Sequence, residues 1–191
     1  LINDRFDTPF SNFLKRNKIE FYSFPLKSKK IYPFTALKIS RLLKKLNVDT
    51  IHAHLFEGGL IGLTAAKLAG IKTRIYTRHH STSQHEYFPH AVKYDKLNNW
   101  LATKIVAISN NVKNVLKDLE GVPDEKITVV EHGFRLDSFS NTNLEKVEGL
   151  KKKYKIPSGK RIIGTISRYV KLKGIDYVID AFKEVHQLHP D

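Results

Sequence analysis

The sequence predicts an α/β protein built on an open, doubly wound parallel sheet. Two observations point there. Short runs with strand patterning alternate with longer segments of helical period, and the stretches between strand runs are long enough for a helix that crosses over to a parallel neighbour. With 191 residues and 41% hydrophobic content, the chain has ample material for a packed core.

The elements follow in order. "EFYSF" (residues 20–24) reads as a strand, and "FTALKISRLLKKLNV" as an amphipathic helix that turns Leu37, Leu42, Leu43 and Leu46 inward. "TIHAHL" is a strand again. The helix over 59–69 is apolar nearly all round and is expected to be buried, with Gly70 as its stop signal. "TRIYTRH" is the next strand, and a looser polar segment over 81–90 leads to a helix over 93–102 and the strand "KIVAIS". Asn110 is placed to cap a helix whose inner face is Val112, Val115, Leu116 and Leu119, and "KITVVE" closes the series.

Both ends of this pattern read as interrupted. "LIND" resembles the tail of a strand, and beyond Val130 the pattern loosens into the linker "DSFSNTNLEKVEG". A short helix over 144–154, a strand over 161–167 and a helix carrying Ile175, Val178, Ile179, Phe182 and Val185 at helical spacing then follow. One strand and two helices cannot bury their own apolar faces. The expected organisation is therefore a first domain over 1–140 that lacks its first strand, and over 141–191 the linker and opening of a second, truncated domain.

Composition narrows the classes. The net charge is +14, distributed as +7 over residues 1–50, +3 over 51–100, −2 over 101–150 and +6 over 151–191. Two basic regions flank a near-neutral middle, which attracts polyanions: nucleic acid, anionic lipid or phosphorylated small molecules. The absence of cysteine excludes disulfides and thiolate metal sites and fits a reducing cytoplasm. No stretch reads as a membrane span or signal peptide, so a soluble protein is expected.

Four groups of residues carry possible chemistry. In "IIGTISRYVKLKG", Arg168 follows a strand pattern and Lys173 precedes a helix, with Gly174 allowing close backbone approach. A planar guanidinium and an ammonium beside a helix amino terminus suit a diphosphate, although ordinary solvated cations give the same spacing. His52 and His54 lie on one face of a strand, His79 and His80 end the next, and His85 and His90 follow in the loop. Imidazoles at several strand ends can meet in one cleft, to bind a hydroxyl, shuttle a proton or ligate a metal. Glu57, Gly58 and Gly59 precede the buried helix, where glycines either admit a ligand or simply begin the helix. His132 and Gly133 in "EHGF" follow the last strand of the first domain, where the glycine serves a turn. Ser109 in "AISN" lacks the flanking glycines of a nucleophile elbow, so it reads as a cap or a substrate hydrogen bond.

Taken in order, "DTIHAHLFEGG", "YTRHHST", "KIVAISNNV", "KITVVEHGFRLDSF" and "GTISRYVKLKGIDYVIDAF" resemble glycosyltransferase family 4, retaining sugar-nucleotide enzymes with two facing Rossmann-like domains, the GT-B fold. The resemblance covers residues 49–191. It implies that Arg168, Lys173 and Gly174 bind the donor diphosphate and that the two cations stabilise the leaving group without a metal or other cofactor. His80 stands at the position of the family's histidine near the transferring sugar, so His80, Arg168 and Lys173 are the implied catalytic residues. His54, Glu57, Gly58, Gly59 and Ser109 fall on the acceptor side. The implied partners are a nucleotide-diphosphate sugar and a carbohydrate or lipid-linked acceptor. His132 stands where the family often has asparagine and Arg135 where an acidic residue is common. The family's first glycine-rich loop and its later pair of glutamates are missing, so the 191-residue chain alone is expected to have little or no activity.

Two other classes compete. The His-x-His pair also opens the metal site of amidohydrolase barrels, but no aspartate ends a late strand as a further ligand. A pI near 9.8 favours a nucleic-acid module, yet the aromatics do not interleave with the cations as stacking platforms do, so no nucleic-acid partner is expected. The basic first third, with "KSKK" and "SRLLKKL", is a candidate for contact with the cytoplasmic face of an anionic membrane, and the incomplete second domain for homo-oligomer contacts.

Overall fold

The computed structural model describes residues 8–26, 28–140, 142–159 and 162–189. "LIND", Arg161 and the terminal "PD", on which sequence expectations fell, lie outside these residues. The chain divides into two units, Leu1–Gly133 and Phe134–Asp191.

The first unit is organised by four parallel strands in the order β1 (Thr50–His54), β2 (Thr73–Arg78), β3 (Lys104–Ala107) and β4 (Ile127–Val129). Before them come α1 (Pro9–Arg16) and α2 (Tyr32–Lys45). Between them lie α3 (Phe56–Ala69), α4 (Ser83–Tyr87), α5 (Val92–Leu101) and α6 (Asn110–Asn114). The register pairs Ala53 with Tyr76, Tyr76 with Ile105, and Ile105 with Ile127. These residues therefore share one face, and on it Leu63 of α3, Leu101 of α5 and Leu116 beyond α6 complete the main hydrophobic cluster. Each step in strand order runs the same way, and right-handed crossovers then put every connecting helix on the same side. The reversal of strand order that marks a doubly wound sheet does not fall among these four strands. His52 and His54 occupy the other face and are exposed.

Several elements depart from expectation for identifiable reasons. "EFYSF" is not a strand: only Phe24 makes an isolated bridge, and its ring packs against the α2–α3 cluster instead of extending a ladder. The inner face of α2 is Thr35, Ala36, Ile39 and Ser40, while Leu37 and Leu46 are exposed and Leu43 is partly buried. Small residues let α2 press against Ile61 and Ala65 of α3, a closeness the bulkier leucines would prevent. α3 begins at Phe56, before the two glycines, and ends as expected at a left-handed Gly70, with φ 83°. α6 is capped by extended Ser109, whose Oγ accepts from the Val112 amide at 3.3 Å, so Asn110 is the first helical residue and not the cap.

α6 passes into a π-helical turn over Val115–Leu119. The wider turn rotates later side chains out of the phase set by Val112, Val115 and Leu116. Leu119 is left half-exposed and Glu120 is carried into the interior.

In the second unit, α7 (Asp137–Ser140), α8 (Leu144–Lys153) and α9 (Ile175–Leu188) form. Residues 162–167 of the expected strand pair with nothing among the described residues, since a strand exists only where a neighbour takes its backbone hydrogen bonds. Ile163, Ile166, Val178, Ile179, Phe182 and Val185 are all exposed.

Candidate active site

The carboxyl ends of β1 and β2 deliver the histidines, but alternation sends them to two places. On the open face, His52 Nε2 lies 2.7 Å from Thr77 Oγ1, and the His52 and His54 rings are 4.3 Å apart. His54 Nδ1 is 3.1 Å from His79 Nε2, and His79 stacks on His132 at 5.8 Å. Burial lowers the pKa of His79 below its ordinary value of 6.5, and the neighbouring imidazoles of His54, His132, His80 and His52 lower it further. Partial desolvation of its ring, then His54, does the same to His52. One ring must donate and the other accept across the His54–His79 contact, so the accepting ring of that pair is a neutral imidazole. Among the described residues, no group of three or more histidines and carboxylates is arranged to hold a metal ion.

His80 points to the other side. Its Nε2 donates to Asp95 Oδ2 at 3.2 Å, and its carbonyl accepts from Arg78 Nε at 3.1 Å. Arg78 is wholly buried on the helix-covered face, where Nη2 lies 3.0 Å from Asp95 Oδ2 and 2.6 Å from Glu120 Oε1. Glu120 also accepts from Asn99 Nδ2 at 2.6 Å and from His85 Nε2 at 3.1 Å. A buried ion pair gives little net stability after desolvation, and its value is fixed geometry. One guanidinium thus ties together the carboxylates that orient two imidazoles, and the bond to Asp95 places a proton on Nε2 of His80.

Spacing did not disclose Arg78, Asp95 or Glu120. A signal existed for Asp95: with Asn98 and Asn99 it forms a polar stripe at helical spacing that runs into buried Leu101 and Ala102, which marks it as inward-facing. Glu120 had no such signal, because the π turn decides its direction.

The turn over residues 57–59, expected on the acceptor side, resolves into three different roles. The Tyr32 hydroxyl donates to Glu57 Oε1 at 2.6 Å, and burial, then this bond, pushes the phenol up to about 12. Gly58 faces open space, whereas a Cβ at Gly59 would stand 2.8 Å from Tyr76 Cε2 and 2.9 Å from Asn98 Nδ2. Gly59 therefore serves helix packing. Leu55, just before the helix, holds φ 63° and ψ 169°, a conformation otherwise left to glycine. Gly133 is not left-handed, and a Cβ there would meet nothing within 4 Å, so the expected glycine-specific turn is not found.

In the second unit, Arg168 and Lys173 are exposed, and Lys173 ends a 3-10 turn over Lys171–Lys173. Left-handed Gly174 caps α9. A hollow of about 180 Å³ beside that helix start is lined by Tyr169, Val170, Lys171, Ile175 and Asp176, so among the described residues the cation that lines it is Lys171.

This parallel α/β architecture matches half of the fold of GT-B glycosyltransferase structures. Residues 5–138 match the family described as Glycosyltransferase Family 4, and the chain belongs to it. It is 28% identical over 166 residues to the alpha-monoglucosyldiacylglycerol synthase of Acholeplasma laidlawii, an alignment covering 79% of this chain and 42% of that protein. It is 31% identical over 157 residues to the capsular polysaccharide biosynthesis glycosyltransferase CapM of Staphylococcus aureus, covering 77% and 40%. The fold superimposes with a TM-score of 0.72 on the crystal structure of Anabaena HepE in complex with UDP-glucose, at 20% identity, covering 93% of this chain and 48% of that one. The chain thus spans less than half the length of these proteins.

Proposed function

We propose that this chain contributes to transfer of a glycosyl group from a nucleotide-diphosphate sugar to an acceptor hydroxyl, with retention at the anomeric carbon. The family match carries this reading, and the placement of His80 supports it: the imidazole is held at a carboxyl strand end, where open parallel sheets bind ligands. In this reading His80 serves the transferring sugar. In the second unit Arg168 and Lys173, with the backbone at Gly174, hold the diphosphate and stabilise the charge on the leaving group, the electrostatic contribution that dominates such catalysis. His54, Glu57, Gly58 and Ser109 belong to the acceptor side, whereas Gly59 acts through packing.

The relatives' names motivate the partners. One names a diacylglycerol product and one a capsular polysaccharide, so a lipid-linked or carbohydrate acceptor is proposed, with the basic first third resting on an anionic membrane. Among the described residues no helix is long and apolar enough to cross a membrane. The test is a nucleotide-release assay with UDP-glucose and other nucleotide sugars, run on the 191-residue chain and on the product of the whole reading frame. Release is expected from the latter and little or none from the former. No release and no calorimetric heat with any nucleoside diphosphate from the latter would overturn the reading, as would stoichiometric zinc with hydrolase activity.

A further inference from the structure

Beside the first turn of α3 the first unit holds a cavity of about 450 Å³, within the size range of small-molecule sites. Phe56 and Leu60 of α3, Tyr32 of α2, and Phe88 and Tyr94 from the segment around α5 line it, with Lys29. Phe56 meets Tyr94 edge to face at 6.1 Å, which makes a fixed aromatic wall. Phe88 is 56% exposed. A bulky ring left in water beside an apolar hollow is a site looking for a guest rather than core.

The polar groups are few and of one sign. Among the described residues no aspartate or glutamate lines the cavity, and Lys29 supplies a cation, followed in sequence by Lys30. The Tyr32 hydroxyl is already engaged with Glu57. Gln84 Oε1 is buried and makes no hydrogen bond among the described residues. Beside the tyrosines, His90 and Gln84 are the remaining polar side chains of the lining, too few to surround the rim of a free sugar, and the rest of the wall is apolar. A hydrocarbon chain needs only apolar surface, and a phosphate at its head needs a cation.

The geometry points to this cavity as the seat of the hydrocarbon chain of a lipid-linked acceptor, with Lys29 meeting the phosphate at its head. The inference rests on the transferase reading, which it sharpens from an acceptor of either kind to a phosphorylated amphiphile. Tyr32 of this lining donates to Glu57, a residue of the proposed acceptor side. The chain would thus be anchored next to the place where its sugar must react.

Calorimetry on the folded 191-residue chain, with farnesyl phosphate below its micelle-forming concentration, tests this without any turnover. Saturable binding is expected, with none of comparable strength for inorganic pyrophosphate or maltose. Leu60→Trp, which fills the cavity, should weaken binding about tenfold or more. Phe88→Ala should weaken it several-fold; that ring is half in water, so the variant stays folded even if Leu60→Trp does not, with circular dichroism as the check. Lys29→Glu should weaken farnesyl phosphate but not farnesol. No binding to the folded wild-type chain, binding unchanged in Phe88→Ala, or equal binding of maltose overturns the inference. So does binding that vanishes in the product of the whole reading frame, since the protein's own residues then fill the cavity. None of these results bears on nucleotide release, which alone decides the transferase reading.

Discussion

Asp95 is the residue on which the geometry of His80 depends. Its carboxylate holds both the imidazole and the buried Arg78 guanidinium. Asp95→Asn should lower stability by about 1–3 kcal/mol, because a buried cation loses part of its countercharge. It should also reduce the population of the Nε2–H tautomer of His80, read by nitrogen-15 NMR; an unchanged tautomer would show that the carboxylate does not orient the ring. The row on the open face makes a separate prediction with a definite sign. The pKa of His79 is lowered from 6.5 in the fold, so the unfolded chain binds a proton more readily. Its contribution to stability is present above 6.5 and is lost as pH falls through the lowered folded value. Urea unfolding at about pH 7.5 and about pH 5.5 should show a loss of stability on acidification that is smaller in His79→Gln. An equal loss would place the acid sensitivity elsewhere.

Two adjacent glycines at the start of α3 look alike in sequence and differ in consequence. Gly59→Ala drives a methyl group against Tyr76 and Asn98 and should destabilise by about 1–3 kcal/mol, seen as a lower melting temperature. Gly58→Ala meets open space, and the better helix propensity of alanine should leave stability unchanged or raise it by about 1 kcal/mol. Equal effects would remove the packing account of Gly59. Much at this scale was legible beforehand: all four strands and the buried α3 follow from period and apolar content, and Gly70 from its place after the last periodic residue. The inner face of α2 was not, because leucine-rich spacing marks where hydrophobicity lies and not how closely a neighbouring helix approaches. Nor was the π turn, which no periodicity announces.

The two units differ in how far they satisfy their own apolar surface. Leu1–Gly133 gathers its strands around a continuous cluster with Tyr76, Ile105 and Leu116 at full burial, whereas Ile166 and the α9 face of Phe134–Asp191 are exposed. Residues 1–133 alone should therefore keep a cooperative thermal transition within a few degrees of that of the 191-residue chain; loss of that transition would show that the second unit is required for the first to fold. The sequence by itself determined the parallel α/β class, the family, and the places where strands release their side chains, because these rest on local period and ordered motifs. Only the tertiary structure decided that His79 and His80 part company across the sheet, that Arg78, Asp95 and Glu120 meet beneath one of them, and that aromatic rings from three helical segments enclose a cavity. Those outcomes depend on register, helix phase and packing distance, which join residues far apart in the chain and leave no spacing to read.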